Sequence, residues 1–120
     1  MKTSDYKDLI IWKKSMDLAK NVYALTKQFP KEEVFGLVSQ MRRCSISIPS
    51  HIAEGHARNS NKDFIHFLKI SLGSNAELET QAILSQNLEY ISMEESIQLQ
   101  SETKEISKMI ISLIHHLEQL

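Results

Sequence analysis

The chain has 120 residues, 42% of them apolar, with three glycines, two prolines and a formal net charge of −1. That length suits one domain, residues 1–120, and so few breakers between long periodic segments point to an all-α fold. No apolar run approaches the roughly 18 residues of a membrane span, the first residues lack the apolar core of a signal peptide, and the lone Cys44 rules out an internal disulfide, so a cytoplasmic protein is expected.

The first helix is expected over about residues 8–28. Trp12, Met16, Ala19, Val22 and Tyr23 follow the helical spacing and form its apolar stripe, widened by Ile11, Leu18, Leu25 and Phe29. Trp12 reads as a core anchor in preference to a ligand platform. Pro30 ends the helix and leads into the next.

The second helix is expected over about residues 32–56. Val34, Leu37, Met41, Cys44, Ile48 and Ile52 make its core stripe, and Phe35, Ile46 and Ala53, near Arg42, suggest a second contact face. Pro49 falls inside the pattern without interrupting it, which predicts a kinked helix. Gly55 reads as the helix stop.

The third helix is expected over about residues 61–90, starting at Ser60 with Asp63 three residues on. Phe64, Leu68, Leu72 and Ala82 mark its apolar side. Gly73-Ser74 in mid-helix costs helix propensity, and a close helix approach or a partner's backbone would explain it. Ser92 and Glu95 form a regular capping box for the fourth helix, about residues 93–119. There Leu99, Thr103, Ile106, Ile110, Leu113, Leu117 and Leu120 alternate in heptad spacing, with Thr103 the one polar interruption. Four long helices with short links predict an antiparallel up-down-up-down bundle.

Reactive constellations are sparse. None of the five histidines forms an i, i+4 pair, and only Asp63-x-x-His66 approximates a di-iron motif, so no metal is expected. Cys44 lies on the core stripe and reads as packing. Glu77 and Glu79 point about 160° apart on a helix and cannot share a substrate. With no phosphate loop or nucleophile elbow either, no enzyme and no cofactor are expected.

Charge and polar spacing are more informative. Residues 1–75 hold twelve Lys/Arg and seven Asp/Glu, a net of +5, whereas residues 76–120 hold two and eight, a net of −6. Arg42, Arg43, Arg58, Lys62 and Lys69 on the second and third helices are candidate contacts for an anionic partner such as RNA, although the same asymmetry suits charge-complementary subunits or ordinary solvated helix faces. A polar line, Gly36, Gln40, Arg43, Ser47, His51 and Glu54, runs down the second helix. Ser71, Asn75 and Glu79 stack four apart on the core side of the third, beside Gly73 and Ser74. A polar row in a core must be paired. These rows read as a register-fixing network in which Ser71, Asn75 and Glu79 bond Arg42 or Arg43 and Gln40 across helices, in preference to a ligand site.

The segments GLVSQMRRCSISIPSHIAEGHARNS and FIHFLKISLGSNAELETQ, together with Trp12 and VYALTKQFPKEEVFGL, resemble the four-helix bundle proteins encoded in intervening sequences of bacterial 23S ribosomal RNA genes. The resemblance runs from about Tyr6 to Leu117, with Ser50-His51 standing where the family often has Asn before IAEG. It implies an antiparallel four-helix bundle that assembles into a homo-pentameric ring. The fold is also similar to the accessory variability determinant proteins of diversity-generating retroelements, pentameric basic bundles that bind a reverse transcriptase and nucleic acid. The expected function is therefore a non-enzymatic oligomeric scaffold with RNA or a ribonucleoprotein as partner. The alternative is a protein–protein scaffold without nucleic acid.

Overall fold

Long amphipathic segments separated by single breakers give long helices. The computed structural model describes residues 5–120, and they form four α-helices with no strand among the described residues. These are α1 (Ile10–Thr26), α2 (Leu37–Ala57), α3 (Asn61–Asn87) and α4 (Met93–Glu118), with short 3-10 turns at Tyr6–Asp8 and Lys31–Glu33. They pack as a rod of 46 × 22 × 20 Å. α1 lies against α2 and α4, and α3 lies against the same two helices. Contacts between neighbours run in opposite numerical order. Lys14 and Asn21 on α1 and Gln28 just beyond it meet Glu105, Glu102 and Glu95 on α4. Cys44, Ser47 and the Ile48 carbonyl on α2 meet Gln81, Ser74 and Ser71 on α3.

The local signals at helix starts are realised. Ser60 Oγ accepts from the Asp63 amide at 3.2 Å, and Ser92 with Glu95 makes the complete capping box. Left-handed residues, Asn59 (φ 57°) and Glu89 (φ 63°), precede these caps in the same two turns. Gly55 is therefore not the helix stop. It lies buried inside α2, where an added Cβ would sit 2.7 Å from Phe67 Cβ, so its missing side chain is what lets α3 approach. Gly73 is the reverse: it is exposed, and nothing in the chain lies within 4 Å of where its Cβ would be. The close approach on that part of α3 falls instead at Ser74.

α2 starts at Leu37, about five residues later than expected, because Gly36 (φ −110°, ψ −112°) leaves the helical region. Glu33 caps this start from outside the helix. Its carboxylate accepts from the Leu37 amide at 3.1 Å and from the Tyr90 hydroxyl at 2.8 Å. Those two bonds, the Tyr90 hydroxyl first, hold the Glu33 carboxyl below its ordinary range. Tyr90 itself lies beyond α3, which ends at Asn87. Pro49 is accommodated within an α2 that continues past it to Ala57.

The core matches the expected stripe on α2 from Leu37 to Ile52, but Val34 lies outside the helix and is exposed. On α4 the buried line is Ser96, Leu99, Thr103, Ile106, Ile110 and Ile114. A straight helix turns about 3.6 residues per turn, so a strict heptad drifts away from the core. Burial accordingly moves from Leu113 to Ile114, and Leu120 is exposed. The larger correction is on α1. Its buried line is Ile11, Ser15, Leu18, Val22 and Thr26. The Ser15 and Thr26 hydroxyls donate to their own helix at the Ile11 and Val22 carbonyls, 2.6 and 2.8 Å away, which makes these polar side chains fit for burial. Trp12 is half-buried and packs against the edge of the core, and Met16, Ala19 and the exposed Tyr23 follow it along the junction with α2.

Candidate functional site

Two features stand out: the polar rows, and the furrow left by the outward stripe of α1. In the rows, α3 divides its partners between two helices. Ser71 is fully buried, and its hydroxyl donates to the Ile48 carbonyl of α2 at 2.9 Å. Asn75, 1% exposed, donates from Nδ2 to the Thr103 carbonyl at 2.6 Å and to Ser107 Oγ at 2.7 Å on α4. The Thr103 hydroxyl lies 3.5 Å from the Glu79 carboxylate. Ser74 Oγ and Ser47 Oγ are 2.8 Å apart, and Ser47 also meets His51 Nδ1 at 3.0 Å, with the His51 ring stacked on Phe67. Gln40 and Arg43 are exposed, and Glu54 pairs with Arg58 within the α2 end. The expected arginine–carboxylate network across α2 and α3 is thus replaced by small hydroxyl and amide links. Serines fit between close helices, whereas a guanidinium does not. Thr103 and Ser107 were not singled out as partners, yet the interruption of the α4 seam at Thr103 was their signal.

Arg42 turns the other way. Its Nε donates to Thr26 Oγ1 at 2.9 Å and its Nη2 to the Tyr23 carbonyl at 3.3 Å, and its guanidinium carbon lies 4.5 Å from the centre of the Tyr23 ring. A cation on the last-turn carbonyls of α1 suits the negative end of the helix dipole. Arg42→Ala is expected to cost about 1 kcal/mol of stability in chemical denaturation while leaving any salt-dependent RNA affinity within about twofold, because losing one phosphate contact would instead flatten the salt slope by nearly one. Arg58 is likewise engaged, by Glu54 at 3.1 Å and over the Phe67 ring at 5.0 Å. Arg43, Lys62 and Lys69 are exposed. Two of the five cations are thus held by neighbours within the chain and three stand exposed.

The furrow runs along the α1–α2 junction as two adjoining depressions of about 620 and 720 Å³ that share Tyr23, Lys27 and Ile46. Trp12 and Met16 lie in one, and Phe35, 98% exposed, lies in the other. Lys20, Lys27, Lys31, Arg42 and Arg43 also line it, and no carboxylate does. Ile46 and Ala53 of the expected second contact face line it from α2, and Phe35 lines it from the turn before α2, which starts two residues later.

Chemically the molecule offers little to react. Burial pushes the Cys44 thiol up, and its neighbours are Glu77 Oε2 and Gln81 Nε2, each at 3.6 Å. Among the described residues no three His, Cys, Asp or Glu side chains gather as a metal site requires, and no helix is long and apolar enough to cross a membrane.

The family model described as 23S rRNA-intervening sequence protein matches residues 7–112. The chain belongs to that family. A solved structure of a protein of unknown function from the S23 ribosomal protein family of Bacteroides thetaiotaomicron is similar over 88% of this chain and 98% of its own, at 29% identity and a TM-score of 0.79. Among curated proteins no match is found. The match spans the four helices almost entirely, so the furrow and the polar rows both lie on the part of the chain that the family describes.

Proposed function

We propose that this member of the 23S rRNA-intervening sequence family is a non-enzymatic cytoplasmic scaffold. It is a single-domain, antiparallel up-and-down bundle that assembles into a closed ring of five and engages RNA or a ribonucleoprotein. The opposite numerical order of contacts along α1/α4 and α2/α3 supports the up-and-down arrangement. The observation that carries the scaffold reading is the apolar surface the core leaves uncovered in one furrow: half-buried Trp12 and Met16 beside exposed Ile46 and the wholly exposed Phe35. Apolar surface gathered and rimmed by charge marks an interaction site more often than a free face. The buried, proton-retaining Cys44 supports the absence of covalent chemistry.

Sedimentation velocity at micromolar concentration tests assembly. A species near five times the 13.8 kDa chain mass is expected, and a monomer overturns it. RNA engagement is favoured by Arg43, Lys62 and Lys69, which stand exposed on α2 and α3. Fluorescence anisotropy with a structured RNA at about 50 mM salt, where electrostatic affinity is greatest, is expected to show binding that falls linearly with the logarithm of salt concentration. Replacing Lys62 and Lys69, which lie outside the furrow, with Glu is expected to reduce it at least tenfold. Absence of binding at low salt, with the ring intact, would leave the protein–protein scaffold as the function.

A further inference from the structure

We propose that the furrow between α1 and α2 of one copy receives the α3–α4 corner of a neighbouring copy, so that each molecule carries both halves of a head-to-tail contact; this rests on the self-assembly reading above. The corner is chemically the counterpart of the furrow. Residues 70–103 contain six carboxylates and no lysine or arginine. Within that stretch Leu84, Leu88, Met93 and Ile97 are each exposed by 44% or more, around the turn that carries Glu89 and Glu94. The furrow presents apolar side chains rimmed by lysine and arginine without a carboxylate. Acidic-apolar against basic-apolar satisfies both the hydrophobic and the electrostatic requirement of one interface.

Position agrees with chemistry. The Tyr90 hydroxyl bonds Glu33 at 2.8 Å, the Tyr90 and Phe29 rings lie 5.4 Å apart, and Gln28 bonds Glu95 at 3.0 Å. The corner therefore sits at the same end of the 46 Å rod as the Phe35 depression, but on different helices. Copies standing side by side in the same orientation bring one corner level with the next furrow. The two surfaces differ, so the contact is heterologous, and repeating it closes a ring when the rotation permits. Two furrows pressed face to face would set Lys27, Lys31, Arg42 and Arg43 against their own copies, which like-charge repulsion opposes.

Two variants separate the halves. Phe35→Asp puts a carboxylate in the furrow, and Leu88→Asp puts one in the apolar part of the corner. Both side chains are already exposed, so wild-type helicity by circular dichroism is expected. If either variant loses helicity, Ile46→Asp and Ile97→Asp repeat the test on the same two surfaces. By sedimentation each variant alone is expected at the monomer mass of 13.8 kDa. An equimolar mixture retains one intact furrow and one intact corner and is expected to give a 1:1 dimer that grows no further. Variants that keep the wild-type assembly mass, or monomeric variants that do not pair on mixing, overturn this contact while leaving self-assembly standing. A monomeric wild type overturns both.

Discussion

Gly55→Ala lowers the stability of the fold by about 2 kcal/mol, while the same substitution at Gly73 raises it by about 1 kcal/mol. Alanine gains roughly 1 kcal/mol over glycine in a helix interior by propensity alone, and this gain applies at both positions. At Gly73 nothing in the chain lies within 4 Å of the added carbon, so the gain stands. At Gly55 the new Cβ meets Phe67 Cβ at 2.7 Å, Phe64 Cδ1 at 3.1 Å and Phe64 Cα at 3.4 Å. Two of those atoms are fixed to the α3 backbone and cannot swing aside, so α2 and α3 must separate. Overpacking a tight core costs about 1–3 kcal/mol, and a backbone-limited clash belongs at the upper end. Paired urea denaturation of the two variants measures the difference. Two midpoints shifted in the same direction would show that α2 and α3 have room at Gly55.

Asn75→Ala costs about 2 kcal/mol, whereas Asn75→Leu stays within about 1 kcal/mol of wild type. The alanine variant loses two hydrogen bonds from Nδ2 to α4, worth about 1 kcal/mol each, and opens a void at a position that is 1% exposed. Asn75 Oδ1 is buried without a protein partner, so removing it offsets part of that loss. Leucine repeats the branched heavy-atom outline of asparagine and carries no unpaired oxygen, and apolar replacement of a buried polar group is often nearly neutral. What leucine gives up is the anchor between Asn75 and the Thr103 carbonyl, which holds α4 at one height on α3. Chemical denaturation reports the energies. Broadened amide signals from α4 in the leucine variant would report the lost register, and a leucine variant as unstable as the alanine one would assign the amide a net stabilising role.

These two residues also divide what was legible in the sequence from what was not. The Ser71, Asn75 and Glu79 row was visible from its spacing, because side chains four apart on a helix share a face. Its partners were not. Charge suggested arginines, but the helices approach too closely for a guanidinium, and serine, threonine and backbone carbonyls take those places. Gly55 reads locally as a helix stop and is instead the close approach of α2 to α3, whereas Gly73, which reads as a close approach or the seat of a partner's backbone, meets nothing within the chain. A local pattern cannot tell which face of a helix a neighbour will cover.

The same division holds for the whole molecule. Sequence alone determined the four helices, the capping of α3 and α4, the core stripe of α2 and the family, because caps and helical periodicity are local properties of the chain. Only the tertiary structure decided which of two apolar stripes on α1 became core. Ile11, Leu18 and Val22 are covered, on a helix that packs against both α2 and α4, with Ser15 and Thr26 made compatible by bonds to their own helix. Trp12, Met16 and Tyr23 lie one side-chain row further round, at the edge of the α1–α2 contact where α2 covers them only in part, and form the furrow instead. Hydrophobicity says how strongly a side chain favours burial, but the positions of the other helices decide whether burial is available within one copy.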